Sequence, residues 1–191
     1  MRMGSFEKRI VSSRGHSRRV AEHAVRRVRR LAAHEARTYL DVGCGNGAAA
    51  LRVAGTFGLH AVGVDVDATQ IDRARHASSG RRDVSFVNAD AAHLPFGDAR
   101  FDIVATNKTT HHLPEWKAAL LEMRRVLKPG GYLIYSDVNA PRWIAGLLRS
   151  TAGRAAGIFT RDDLDRWFAE LGVRRVYRAA RALHYDAAFV K

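Results

Sequence analysis

In the stretch Tyr39-Leu-Asp-Val-Gly-Cys-Gly-Asn-Gly-Ala-Ala-Ala50, a short apolar run ends in a carboxylate, three alternating glycines follow, and helix formers take over. Gly43, Gly45 and Gly47 predict a sharp turn whose backbone comes close to a ligand, where any Cβ would collide. A turn of this kind at the carboxyl end of a parallel strand is where open α/β sheets bind ligands. Gly43, Gly45 and Ala48 also satisfy the dinucleotide pattern G-x-G-x-x-G/A, so a nicotinamide-dependent enzyme stays open on spacing alone. The company of acids separates the readings. Asp41 precedes the turn, Asp65 ends the next apolar run and Asp90 the one after. Three carboxylates at strand ends suit a ligand with hydroxyl, amine and amino-acid groups better than a pyrophosphate, which wants N–H donors or cations.

Outward from the turn, short apolar runs at 39–42, 61–64, 84–87, 101–106 and 132–136 alternate with helical stretches at 48–57, 68–77, 114–127 and 161–171. That alternation predicts an α/β, doubly wound, Rossmann-like parallel sheet. Thr160-Arg-Asp-Asp163 is a carboxylate variant of the capping box at the start of the last helix. Runs at 173–179 and 182–190 lie close enough to pair as a hairpin. Upstream, residues 17–36 place Val20, Ala24, Val28, Leu31 and Ala32 on one stripe, which predicts an amphipathic helix with Ser17 as its N-cap. Residues 1–16 have no clean period and are expected to form an arm.

This ordered set resembles the class I S-adenosylmethionine-dependent methyltransferases of the small-molecule type. Asp41-Val-Gly-Cys-Gly-Asn-Gly47 is similar to the family's first motif and Val62-Gly-Val-Asp65-Val-Asp67 to its second strand. Asn88-Ala-Asp90-Ala91 with Leu94-Pro95-Phe96, then Phe101 to Asn107 with His111-His112-Leu113, and Leu127-Lys-Pro-Gly-Gly-Tyr132 as the turn into the fifth strand complete the series. The resemblance implies a seven-stranded sheet, mostly parallel with a C-terminal antiparallel hairpin. It also implies S-adenosyl-L-methionine as cofactor, held by Asp41, Gly43, Cys44, Gly45, Gly47, Asp65, Val66, Asp90, Ala91 and Asn107. In it Asp65 takes the ribose hydroxyls, Asp90 the adenine amine, and the Asn107 carbonyl the cofactor's ammonium. Each acid also has a plain structural use, as a turn former or as an acceptor for the glycine turn.

A chain of 191 residues with 47% apolar content can bury one core. The expected organisation is therefore a basic arm and helix over residues 1–37 and a single methyltransferase domain over 38–191. One cysteine excludes an intramolecular disulfide, and no apolar run reaches the length of a membrane span, so a cytoplasmic location is the default. Cys44 lies between glycines and is not expected to be a nucleophile. The net charge of +13 is concentrated in residues 1–40, where only Glu7, Glu22 and Glu35 oppose a run of arginines. An anionic partner or a merely solvated face would both account for it.

Methyl transfer from a sulfonium is an in-line displacement that asks the protein for alignment, exclusion of water and, where needed, a base. It needs no metal. His111 and His112 are the candidate bases, because histidine titrates near neutrality and both follow the fourth strand; packing of the helix start is the alternative. His23 and His184 are expected to be surface or satisfied residues. His16, Arg142 and Trp143 are candidates for substrate contact by position, with Phe6, Arg14 and Arg149 beside them. The segment 108–110 lacks the Asn/Asp-Pro-Pro-Tyr/Phe signature of base-amine methylation. The expected acceptor is thus a small molecule, apolar with an anionic part. The alternatives are an RNA methyltransferase that uses the basic arm, and a cofactor-binding protein without turnover.

Overall fold

Strands joined through helices return to the same edge and so lie parallel, while a short link between the last two makes them antiparallel. The computed structural model describes residues 14–31, 33–141, 145, 159–181 and 183–191, with the side chains of residues 14, 16, 180 and 181 outside that description. Its elements are α1 (Arg14–Arg29), β1 (Thr38–Val42), α2 (Ala48–Phe57), β2 (His60–Asp65), α3 (Ala68–Ala77), β3 (Val84–Asn88) and β4 (Phe101–Asn107). A 3₁₀ turn (Thr110–His112), α4 (Trp116–Val126), β5 (Leu127–Val138), α5 (Arg161–Glu170), β6 (Arg174–Arg181) and β7 (His184–Val190) follow. The seven strands form one sheet in the order β3-β2-β1-β4-β5-β7-β6. β1 to β5 run parallel, and β7 is antiparallel to both β5 and β6.

The strand order reverses between β1 and β4, which opens a crevice at their carboxyl ends. Period-2 alternation sends Leu40, Val104, Leu133 and Tyr135 to a core shared with α4 and α5. It sends Tyr39, Ile103 and Ile134 to a second core under α1, α2 and α3. Thr160 and Asp163 form the expected reciprocal capping box on α5.

Three expectations change. The first helix begins at Arg14, three residues before Ser17, and ends at Arg29 rather than near residue 36. Its last turn tightens into i→i−3 bonds, Arg30 to Arg27 and Leu31 to Val28. Ser17 is therefore no N-cap; its hydroxyl accepts from the Asn46 side chain at 2.8 Å and ties α1 to the glycine turn. The buried stripe of α1 is Ala21, Val25, Val28 and Leu31, with Val20 and Ala24 only half-buried. Finally, the turn expected at Leu127 to Tyr132 lies inside β5, as an irregularity where pairing with β4 skips from Phe101–Leu127 to Ile103–Tyr132 and Gly130 has φ 75°.

Candidate active site

The glycine turn is built as its residues demand. Gly43, Gly45 and Gly47 all have positive φ, between 53° and 78°. At Gly47 a Cβ would overlap the Phe86 ring and lie 2.9 Å from the Ala74 methyl, so this glycine is fixed by packing as well as by conformation. At Gly45 a Cβ would meet nothing within 4 Å, so the bare backbone there faces open space.

Asp65, at the tip of β2, accepts from the Gly45 N–H at 2.8 Å with one oxygen and from the Asp67 N–H at 2.9 Å with the other. It therefore braces both sides of the crevice. Asp41 is buried at 4% exposure, with one oxygen that has no partner and another contact to the Ala50 N–H. Burial first, and then the charge of Asp65, push its carboxyl up to about 7. Burial likewise drives the Cys44 thiol well above its usual range, which makes it inert as a nucleophile.

The crevice is a cleft of about 1290 Å³. Asp65, Val66, Asp90, Ala91, Asn107 and His111 are on its wall together with the glycine turn, so the sequence candidates from four strand ends converge there. A drug-sized ligand fills roughly 300–1,000 Å³. The cleft thus has room for a nucleoside and a second small molecule. Val66 is 70% exposed on this wall, an apolar side chain presented to whatever enters. Asp90 is exposed and accepts from the Ala92 N–H at 2.9 Å with one carboxylate oxygen, a local turn.

At the opposite lip the chain leaves β4 through Lys108, a non-glycine residue with φ 53°. The 3₁₀ turn that follows holds His111 against Asp137. The Asp137 carboxylate is fully buried and accepts from His111 Nδ1 at 2.6 Å, the His111 N–H at 3.2 Å, Thr110 Oγ1 at 2.5 Å and the Val138 N–H at 2.7 Å. Burial alone would raise this carboxyl, but bonds from His111 and Thr110 outweigh it and hold the group below its ordinary value. For a neutral imidazole, an ionised acceptor fixes the His111 tautomer, with the proton on Nδ1 and the lone pair on Nε2. Thr110 gives its only proton to Asp137, so the Tyr135 hydroxyl, 2.7 Å away, donates to Thr110. The His112 ring lies against His111 with centroids 3.8 Å apart and planes tilted by 43°, and it is exposed.

Sequence reasoning missed Asp137, although a carboxylate at the end of a fifth run extends the pattern set by Asp41, Asp65 and Asp90. It also missed Arg27, which is 7% exposed inside the apolar side of α1. Arg27 pairs with Asp186 at 2.8 Å and donates to Ser136 Oγ at 2.5 Å and Asn107 Oδ1 at 3.3 Å. His184, expected to be a surface or satisfied residue, is half-buried and bonds Ser136 Oγ at 2.9 Å. Asn107 has its side chain engaged by Arg27, and its carbonyl accepts from Thr109 Oγ1 at 3.2 Å. Phe6, Arg142, Trp143 and Arg149, and the side chains of Arg14 and His16, lie outside the described residues. Just after β5, the Ala140 N–H donates to the Phe159 carbonyl at 2.8 Å.

Residues 40–135 match the family described as "Methyltransferase domain". The chain belongs to that family. The match runs from β1 into β5 and so contains the glycine turn, the three acids and both histidines. This methyltransferase domain is 37% identical over 139 residues to the 27-O-demethylrifamycin SV methyltransferase of Amycolatopsis mediterranei, covering 69% of this chain and 51% of that protein. It is 38% identical over 116 residues to the fatty-acid O-methyltransferase of Mycolicibacterium smegmatis, covering 57% of this chain and 41% of that one. The chain thus spans about half the length of these relatives or less. Among solved structures, the geranyl diphosphate C-methyltransferase of Streptomyces coelicolor A3(2), determined with Mg²⁺, geranyl diphosphate and S-adenosyl-L-homocysteine, superposes with a TM-score of 0.74. At 16% identity over 94% of this chain and 86% of that one, it shares the fold.

Proposed function

We propose that the methyltransferase domain moves a methyl group from S-adenosylmethionine to the hydroxyl oxygen of a small apolar molecule. The residues fit that cofactor. Asp41 has an unsatisfied buried oxygen, Gly45 presents bare backbone, and Val66 offers an apolar surface beside Asp65. Asp65 would hold the ribose hydroxyls and Asp90 the adenine amine, with Val66 and Ala91 flanking the ring. Asp41 and the Asn107 carbonyl would take the ammonium, while Gly43, Cys44, Gly45 and Gly47 shape the floor. When bound, S-adenosylmethionine supplies an electrophilic methyl group on a sulfonium centre.

The single observation that carries the acceptor class is the bond of His111, on the cleft wall, to buried Asp137 at 2.6 Å. A carboxylate is already a nucleophile at neutral pH and needs no base, whereas an alcohol or phenol must lose a proton as the oxygen attacks. The arrangement leaves His111 Nε2 free to accept that proton, and buried Asp137 stabilises the imidazolium formed. His112, exposed beside it, borders the acceptor rather than acting as base. The relatives named for O-methylation agree with oxygen as the acceptor atom.

Incubation with S-adenosylmethionine carrying a labelled methyl group tests this, with a panel of long-chain alcohols, phenols and fatty acids. Label in hydroxyl compounds, lost in His111→Gln, is expected. Label confined to carboxylates, or unaffected by His111→Gln, refutes the base. No label in any acceptor, with cofactor still bound, would point to binding without turnover.

A second reading rests on α1. Arg18, Arg19, Arg26 and Arg29 are all exposed, and at 100° per residue they fall within an arc of roughly 100°, shared with Glu22, which pairs with Arg18. Such a face fits an anionic polymer, and RNA bound there would show an affinity that falls steeply with salt.

A further inference from the structure

Arg27 is a cation in an otherwise apolar row of α1, and its bonds to Asp186, Ser136 and Asn107 use three of the five guanidinium N–H donors. Arg27 also lines a void of about 40 Å³ beside the glycine turn, together with Asp41, Gly43, Thr106 and Asn107 and with apolar side chains of α1, β1 and β5. One water needs roughly 10–15 Å³ of such space, so the void accepts a few waters or a small polar group. Two of its wall residues, Asp41 and Thr106, carry buried oxygens with no partner, Oδ2 and Oγ1. They are 4% and 1% exposed. Gly43, Cys44, Ala49 and Asn107 line both the void and the large cleft, so the two spaces share a wall.

A buried acid and a buried guanidinium beside one small void, which adjoins the large cleft and is otherwise lined mainly by apolar side chains, match the two charges of an α-amino acid. The acid meets the ammonium and the fork of N–H donors meets the carboxylate. We propose that Arg27 recognises the α-carboxylate at the amino-acid end of the cofactor, directly or through water in this void. The proposal rests on the reading of the cleft as an adenosylmethionine site. It makes α1 part of the site, and it gives Asp186 and Ser136 the task of aiming the guanidinium.

The test is a set of binding titrations with S-adenosylhomocysteine, its decarboxylated analogue and 5′-methylthioadenosine, which lacks the amino-acid chain. They are run on the intact chain, on Arg27→Lys and on Arg27→Gln/Asp186→Asn. The double variant removes both charges, so that no acid is left uncompensated. Arg27→Lys keeps a cation for Asp186 and guards against loss of the fold. The native protein is expected to prefer S-adenosylhomocysteine to the decarboxylated analogue by at least about tenfold, the scale of one charge-assisted bond. That preference should shrink in Arg27→Lys and vanish in the double variant, with methylthioadenosine binding unchanged throughout. Equal affinity of the native protein for the two long ligands overturns the proposal, whatever the variants do. So does a loss of the same factor for all three ligands, which would mark Arg27 as a structural pin. A native protein that binds none of the three would bring down the cofactor reading as well.

Discussion

Replacing Asp137 by Asn changes one atom and reverses the hydrogen-bond logic of the site. Asp137 receives four donors, two on each oxygen. An amide keeps one acceptor oxygen. If that oxygen serves Thr110 and the His111 N–H, the NH₂ group is aimed at His111 Nδ1. The imidazole must then accept there and carry its proton on Nε2, the tautomer that is unable to take a proton from an acceptor hydroxyl. Removal of a general base costs about 10²–10⁴ in rate, so kcat should fall by roughly a thousandfold. Affinity for S-adenosylhomocysteine should stay within about twofold, because none of these bonds reaches Asp65 or Asp41. At least one buried donor loses its partner, and the fold should weaken by about 1–3 kcal/mol. Steady-state kinetics with a hydroxyl acceptor reads the first effect, and long-range ¹⁵N–¹H correlation of the histidine rings reads the tautomer directly. A full-speed Asp137→Asn enzyme, or a native His111 with its proton on Nε2, would refute the assignment of His111 as base.

Other consequences follow from the buried acids and the turn. The Asp41 carboxyl sits at about 7 in the fold and near 4 in an unfolded chain, so the native state binds the extra proton between those values and stability falls as pH rises through them. The full effect is on the order of 4 kcal/mol. Asp41→Asn should therefore melt higher than the native protein at pH 8 and not at pH 4, while it weakens S-adenosylhomocysteine; unfolding curves at both pH values check this. Because an ammonium needs ionised Asp41, binding below pH 7 should release a proton, seen as a calorimetric heat that varies with the buffer. Affinity should rise toward pH 7 and then level off. Gly47→Ala would require a shift of Phe86 as well as an unfavourable φ, and should cost roughly 3 kcal/mol in a denaturant titration.

The succession of strands and helices and the cleft-lining Gly43, Asp65 and Asp90 were legible in the sequence because local rules mark them. Apolar runs, glycines at positive φ and acids at strand tips are visible one segment at a time, and Gly43, Asp65 and Asp90 do reach one cleft. Arg27 and Asp137 were not visible for the opposite reason. Arg27 is one of many arginines in α1, and only its rotation toward Asp186, 159 positions away, sets it apart. Asp137 bonds His111, 26 positions earlier, a contact made only when β5 pairs beside β4. The end of α1 escaped because its apolar period continues past Arg29, where the backbone has already tightened out of the helix.

The central claim is that acids at the ends of β1, β2 and β3 enclose one adenosyl ligand. Side-by-side calorimetric titration of the native protein and Asp65→Ala with S-adenosylhomocysteine and with NAD tests it most directly. The account predicts one site for S-adenosylhomocysteine, weakened in Asp65→Ala by the roughly 1.5–3 kcal/mol of a charge-assisted contact, and no heat from NAD. Binding of NAD alone, or S-adenosylhomocysteine affinity indifferent to Asp65, would contradict it.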